Sequence, residues 1–151
     1  MTTRYLGIDV GPSTGLVWGH KGDNDKPAID GIVQCHASTV EFQVRSLMRL
    51  FPKDEWFIQG EKFVAGRGAG GKGKDAEVAR FVLNMVEAYF AHTPGCTWHA
   101  RPAAMMKPWL TTNRLKAVQF PLGPKFKDAR DALGHMLFTA VRDGGCKDPL
   151  Y

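Results

Sequence analysis

Four carboxylates stand at positions where a sheet and a helix could bring them together. Asp9 lies within the apolar run YLGIDV, and Glu61 ends a second run, EWFIQGE. Asp128 and Asp131 are three residues apart in KDARDAL, a spacing that places both side chains on one helix face. Carboxylate oxygens suit Mg²⁺ or Mn²⁺, and two such ions activate water for phosphodiester hydrolysis. The set therefore predicts a two-metal hydrolytic site with four catalytic acids.

Carboxylates that converge repel one another unless a cation or a proton intervenes. Two like charges about 4 Å apart cost about 4 kcal/mol at an effective dielectric constant near 20. Taken singly, Asp9 could accept hydrogen bonds from backbone amides of the GPST turn, and Glu61 could be a solvent-exposed residue at the end of its strand. Asp128 and Asp131 could simply complement a helix dipole. All these explanations would have to hold at once, so shared metal binding is the simpler interpretation.

Hydrophobic periodicity and turn residues predict the elements that would position these acids. In chain order they are strands near 3–10, 14–20 and 28–36, a helix over STVEFQVRSLMRLF, a strand over EWFIQG, a helix over Asp75–Phe90, a strand near 96–101, a Pro-bounded irregular stretch and a helix over 127–142. Ser38 and Glu41 are predicted to form a capping box, and Asp75 to cap the second helix. The second helix is expected to bury Val78, Phe81, Val82, Met85 and Tyr89.

The element order βββαβαβα predicts one α/β domain over residues 1–151. Hairpins followed by crossovers give a five-stranded mixed sheet flanked by helices, which is the element order of the ribonuclease-H-like fold. No run approaches the ~20 apolar residues that a membrane span needs, and the start lacks the features of a signal peptide. Cys35, Cys96 and Cys146 form no CxxC pair, so a cytoplasmic location without a disulfide framework is expected.

The charge is distributed unevenly along the chain. Residues 1–60 carry six Lys/Arg against seven Asp/Glu, a net charge of −1, whereas residues 61–151 carry fourteen against eight, a net charge of +6. From Arg101 to Lys127 there are six basic residues and no acidic one. This asymmetry favours an anionic partner, and nucleic acid before a membrane surface.

A glycine–lysine loop, GRGAGGKGK, follows Glu61 and superficially matches two phosphate-binding patterns. A P-loop needs Ser or Thr after its lysine, but Gly73 follows Lys72. A dinucleotide fingerprint belongs after the first strand of a βαβ unit, not after the fourth strand of this order. We therefore expect no nucleotide cofactor, and we interpret the loop as a contact for a DNA backbone, with a linker as the structural alternative.

Basic and aromatic residues around the acids form the predicted DNA-binding set. They are Lys62, Phe63, Arg67, Lys72, Lys74, Lys107, Arg114, Lys116, Lys125 and Lys127. Lysine and arginine contacts to phosphates position DNA without reading its sequence. Phe63 could stack on an unpaired base or pack against the second helix. His135 could support the acids or be a buried interfacial histidine, because it lies one turn beyond Asp131.

Three of these segments resemble motifs of the RuvC family of Holliday-junction resolvases. GIDVGPSTG resembles its opening strand, GEKFVAG its second acidic motif and KDARDALGHML its final helix. The resemblance implies that Asp9, Glu61, Asp128 and Asp131 bind metal and that a homodimer nicks a four-way DNA junction symmetrically, in a bacterial or phage-infected cell. By analogy, the second helix would form the dimer face. The stretch MMKPWLTTNRLKAVQFPLGPKFK departs from the family because it looks short and irregular.

Three other functions stay open at this point. A flap or fork nuclease would use the same acids with less selectivity for junctions. DVGPSTG also resembles the first phosphate loop of actin-like ATPases and sugar kinases, but those enclose ATP between two such domains. A DNA-binding module without catalysis is the third alternative, and metal-dependent cleavage would distinguish it from a nuclease.

Overall fold

The computed structural model describes residues 1–63 and 71–151, and in these the strands form a five-stranded mixed sheet. The strands are β1 (Thr3–Asp9), β2 (Ser13–Lys21), β3 (Pro27–His36), β4 (Glu55–Glu61) and β5 (Cys96–Arg101). Their order in the sheet is β3-β2-β1-β4-β5. β1, β2 and β3 are antiparallel neighbours, whereas β1, β4 and β5 run parallel. The predicted strands and the mixed sheet are confirmed.

The helices are α1 (Val40–Leu50), α2 (Lys74–Ala91), α3 (Ala103–Met106), α4 (Thr112–Ala117) and α5 (Lys127–Arg142). The stretch predicted to be irregular therefore contains two short helices. The predicted caps are wrong. Thr39 precedes α1 without a side-chain cap, and Gly73 precedes α2 at a φ of 113° that favours glycine. Asp75 consequently lies inside the first turn of α2.

The strands alternate their side chains between two apolar layers, as the pleat requires. Tyr5 of β1 and Val17 of β2 lie in one cluster with Leu133 and Leu137 of α5. Leu6, Ile8 and Leu16 point the other way, into a cluster with Val44 of α1 and Val82 of α2. Phe81 does not follow the prediction, because 73% of it is exposed. The sheet thus has α5 on one face and α1 and α2 on the other.

None of the helices in the described ranges, 1–63 and 71–151, is long and apolar enough to cross a membrane. The longest of them, α2, buries one side against the sheet and carries charged residues on the other. It therefore has the amphipathic pattern of a helix on a protein surface.

Candidate active site

Two glycines allow α5 to lie directly on the sheet. A Cβ on Gly7 of β1 would overlap the Ala132 carbonyl oxygen, and a Cβ on Gly15 of β2 would overlap the carbonyl oxygen of Asp128. Any larger residue would push the helix away from the strands, because these contacts are with backbone atoms. The first turns of α5 therefore lie directly on β1 and β2, next to the end of β1.

Two side-chain contacts fix the start of this helix. Gln34 of β3 accepts a hydrogen bond from the Ala129 amide at 3.0 Å and donates to the Lys125 carbonyl at 2.7 Å. The Ser13 hydroxyl donates to the Asp128 carboxylate at 2.9 Å. Phe126 precedes α5 and supplies no side-chain cap, so Gln34 satisfies an amide that would otherwise lack a partner in the helix. The sequence offered no local sign of this cap.

The structure places the four predicted acids on neighbouring elements. Asp9 and Glu61 end the parallel neighbours β1 and β4, and Asp128 and Asp131 lie in the first turns of α5. Burial raises the pKa of Asp9 to about 7, and the charges of Asp131, Glu61 and Asp128 add to this effect. Burial also raises the pKa of Glu61, with a further contribution from Asp131. Asp9 is thus within electrostatic reach of the other three acids, and Glu61 is within reach of Asp131 as well.

Lys107, which directly follows α3, partly neutralises this group. Its ammonium nitrogen lies 3.3 Å from a carboxylate oxygen of Asp131. Its charge also lowers the pKa of both Asp9 and Glu61, against the effect of burial. The sequence predicted a DNA contact for Lys107 but gave no indication that it would pair with an acid.

The donor chemistry of the group fits hard divalent cations, since all four acids offer carboxylate oxygens. Within residues 1–63 and 71–151, however, no three His, Cys, Asp or Glu side chains converge closely enough to hold one ion in their present conformations. Burial, and after it the charges of the neighbouring acids, raises the pKa of Asp9, and a nearby divalent cation would favour its charged form. The residues therefore fit a metal by the type of their donor atoms, and ligation requires rearrangement of their side chains.

A cavity of about 650 Å³ opens beside the carboxylates. The turn after β1 forms one wall with Val10, Gly11 and Pro12, and the start of α2 forms the other with Lys72, Lys74 and their neighbours. Both lysines are exposed. The two lysines give this wall of the cavity positive charge, which the carboxylate of Asp75 partly offsets.

The predicted DNA-binding residues differ in their surroundings. Lys62, Lys72, Lys74, Lys107, Lys116, Lys125 and Lys127 are exposed, and Phe63 is half-buried. Arg67 lies outside the described residues. Arg114 differs from the lysines, because its guanidinium pairs with Asp148 and donates to the Trp109 carbonyl at 2.8 Å. With 12% of its side chain exposed, Arg114 holds α4 to the C-terminal segment, and we remove it from the DNA-binding set.

His135 is buried in the interface between α5 and β4. Its Nδ1 atom lies 2.8 Å from the side-chain nitrogen of Gln59, and 1% of the residue is exposed. The sequence allowed His135 to be either a buried interfacial histidine or a support for the acids. Both can hold, because the buried ring lies one helical turn from Asp131. Gln59 is a residue that sequence reasoning missed, although a polar residue in the buried strand EWFIQG was a signal.

No family model matches the chain, and no curated protein matches it by sequence. Solved structures do resemble it. T. thermophilus RuvC in complex with a Holliday junction substrate aligns with 97% of this chain and 98% of its own, at 17% identity and a TM-score of 0.63. The crystal structure of the fowlpox virus Holliday junction resolvase aligns with 93% of this chain and 99% of its own, at 10% identity and a TM-score of 0.54.

These similarities confirm the predicted fold. The chain has the ribonuclease-H-like architecture of the two resolvases: a mixed five-stranded sheet flanked by helices, matched over almost its whole length. At identities of 17% and 10% the likeness concerns the fold, because one fold can carry unrelated functions. The function must therefore be argued from the residues of the site.

Proposed function

We propose that this chain is a single-domain, metal-dependent endonuclease that resolves four-way DNA junctions. The observation that carries the proposal is the placement of the four acids in a ribonuclease-H-like fold: Asp9 and Glu61 end neighbouring parallel strands, and Asp128 and Asp131 lie in the first turns of α5. Exposed lysines lie next to these elements. Two solved structures with this fold are described as Holliday junction proteins, which supports the choice of substrate.

In this proposal the four acids hold two Mg²⁺ ions, which Mn²⁺ can replace. Such ions supply a water of lowered pKa and stabilise the charge on the departing 3′ oxygen. Ser13 orients Asp128 through its 2.9 Å hydrogen bond. Lys107 is 59% exposed beside Asp131, so its ammonium can contact a phosphate of the bound strand. The close packing of α5 against Gly7 and Gly15 holds these groups in position.

Exposed lysines would hold the DNA around this site. Lys62, Lys72 and Lys74 lie near the end of β4 and the start of α2, and Lys125 and Lys127 lie at the start of α5. Contacts of this kind bind any DNA sequence, since phosphates carry no sequence information. Selectivity for junctions would then come from the spacing of two sites rather than from the lysines themselves.

Paired nicks need two active sites, so the proposal includes a homodimer. A four-way junction and a dimer can share a two-fold axis, which places the same site on each of two opposite strands. The exposed side of α2 is the surface we propose for the contact. It carries Phe81, 73% exposed, next to a groove of about 370 Å³ that Val78 and Val82 help to line.

The test is a cleavage assay on a labelled four-way junction, a linear duplex and a flap, each with Mg²⁺ or with EDTA. We expect paired nicks at symmetric positions in the junction, lost in EDTA. Asp9→Asn should lower the rate ~10³-fold or more, because a metal ligand is removed, while junction binding persists. Asp23→Asn is the matched control, since Asp23 lies in the turn between β2 and β3 at the opposite end of the sheet.

Other results would contradict parts of the proposal. Equal cutting of the flap would indicate a broader branched-DNA nuclease. Tight binding of the junction without cleavage in Mg²⁺ or Mn²⁺ would indicate a DNA-binding module. An equal loss of activity in Asp23→Asn and Asp9→Asn would remove the special role of the carboxylate group.

A further inference from the structure

A row of polar side chains crosses the otherwise apolar interface between α5 and the sheet. Gln59 of β4 and His135 of α5 are 0% and 1% exposed. Beyond them, Arg101 at the end of β5 pairs with Asp143, which follows α5, and 16% of each side chain is exposed. Buried polar groups that are this well connected define one arrangement, because any rearrangement leaves a buried group unpaired.

The arginine determines which way the Gln59 amide points. Arg101 donates to the Gln59 side-chain oxygen at 2.5 Å, and a guanidinium group can only donate hydrogen bonds. The opposite amide orientation would place the Gln59 NH₂ group against this donor. Two bonds of 2.7 Å from Arg101 to Asp143 hold the guanidinium itself in place. The Gln59 NH₂ group must therefore face His135.

The same reasoning fixes the tautomer of the histidine. Because the Gln59 NH₂ group donates to the Nδ1 atom of His135 at 2.8 Å, that nitrogen carries no proton. A neutral imidazole then bears its proton on Nε2. Burial lowers the pKa of His135 to about 4, and the charges of Lys107 and Arg101 contribute in the same direction. The ring is neutral at pH 7, with Nε2 as its donor.

This donor lies next to the carboxylate group. His135 follows Asp131 by one helical turn, so both residues are on one face of α5. Gln59 precedes Glu61 by two residues, so both are on one face of β4. The Asp131 charge also acts on His135 and raises its pKa, against the effect of burial. In the described part of the chain, the Nε2 atom makes no hydrogen bond to a protein group.

We propose that His135 is a positioning residue of the carboxylate site, held by Gln59, Arg101 and Asp143 as the Nε2–H tautomer. When the acids rearrange to bind metal, its Nε2–H donates to a carboxylate oxygen of the site and orients that carboxylate. This inference rests on the proposed function. Carboxylates that bind metals are usually held in this way by hydrogen bonds from outside the ligand set.

The tautomer can be measured directly by long-range ¹H–¹⁵N correlation spectra of protein labelled at its five histidines. His135→Gln assigns the His135 signals by their loss. In the unsubstituted protein we expect the pattern of a neutral ring protonated at Nε2. In Gln59→Leu, where the donor to Nδ1 is absent, we expect the single pattern to give way to a mixture of tautomers. A ring protonated at Nδ1 in the unsubstituted protein would overturn the inference.

The role in metal binding is tested by Mn²⁺ titration of two amide variants. His135→Gln places an amide N–H near the position of Nε2, whereas His135→Asn places it near Nδ1. We expect His135→Asn to weaken Mn²⁺ binding about 10–100-fold, the usual effect of losing such a partner, and His135→Gln to retain most of the affinity. His92→Asn is the control, because His92 is exposed at the end of α2.

The outcomes separate this inference from the proposed function. Equal Mn²⁺ affinity in His135→Gln and His135→Asn, whether both retained or both lost, would show that the Nε2–H has no positioning role. If Mn²⁺ binding follows the expected order but no junction is cut, the proposed function fails and the positioning role stands. If junctions are cut and the order is absent, the nuclease stands without this role for His135.

Discussion

The two ends of α5 carry aspartates in opposite electrostatic conditions. In the first turns, Asp128 and Asp131 lie near Asp9 and Glu61, and the Lys107 ammonium group partly offsets the charge of these acids. Just after the last turn, Asp143 accepts two hydrogen bonds from Arg101 and one from Thr139. The same helix thus concentrates unbalanced negative charge at one end and neutralises it at the other.

The pKa values express this difference. Burial and the neighbouring acids raise the pKa of Asp9 to about 7. Burial also acts to raise the pKa of Asp143, but the hydrogen bonds from Arg101 and Thr139 outweigh it and hold the pKa below its usual value. In the absence of metal, the Asp9 charge therefore opposes folding, whereas the Asp143 charge favours it. Charged groups that are placed to bind a ligand lower the stability of the free protein. Charged groups that stabilise the fold already have their partners within it.

The largest expected effect on stability lies at the C-terminal end of α5, where Asp143 is paired with Arg101. Asp143→Asn removes the charge that faces Arg101 and leaves a guanidinium with 16% exposure unpaired. We expect the free energy of unfolding at pH 7 to fall by about 2–3 kcal/mol, since breaking a buried pair leaves an uncompensated charge. Urea denaturation in EDTA measures it.

Asp75→Asn is the control for this substitution, because Asp75 is exposed in the first turn of α2. An effect below about 0.5 kcal/mol in Asp143→Asn, typical of a surface change, would mean that the two ends of α5 do not differ as described.

The second effect has the opposite sign and depends on pH. The folded-state pKa of Asp9 is raised from 3.8 to about 7. Between these values the unfolded chain loses the proton while the folded chain keeps it, so the contribution of Asp9 to stability declines as pH rises from about 4 to about 7. Above pH 7, Asp9→Asn should therefore be more stable than the unsubstituted protein by about 1–2 kcal/mol, discounted for contact with water.

Denaturation in EDTA at several pH values gives this difference directly. Asp54 and Asp148 have lowered pKa values, so their contributions to stability rise with pH. These contributions are the same in both proteins and cancel in the difference. A difference that stays constant between pH 4 and pH 8 would show that the Asp9 charge does not oppose folding.

Local pattern was enough to predict the strands, α5 and the places of the four acids on these elements. Alternation places Asp9 at the end of β1, and the i, i+3 spacing places Asp128 and Asp131 on one side of α5. Neighbouring parallel strands then bring Asp9 and Glu61 together. These steps need only periodicity and the order of elements, so a single sequence contains them.

The partners of polar groups across the interface were not predictable in this way. Gln59 and His135 are 76 residues apart, and Arg114 and Asp148 are 34 apart. Such pairs depend on which strand lies under which turn of a helix, at a precision that periodicity does not provide. The helix caps failed for a related reason, because Gln34 caps α5 from another strand.

The smallest expected effect concerns Lys107, which lies near the acids at the N-terminal end of α5. Lys107→Met removes the ammonium group that lies 3.3 Å from Asp131 and lowers the pKa of Asp9 and Glu61. In EDTA at pH 8 we expect the free energy of unfolding to fall by about 0.5–1 kcal/mol, the range of a partly exposed pair. Lys116→Met, an exposed lysine on α4, is the control. The loss in Lys107→Met should become smaller in the Asp9→Asn background, because the ammonium group then offsets one acid fewer, and it should keep its full size there if Lys107 acts only by packing.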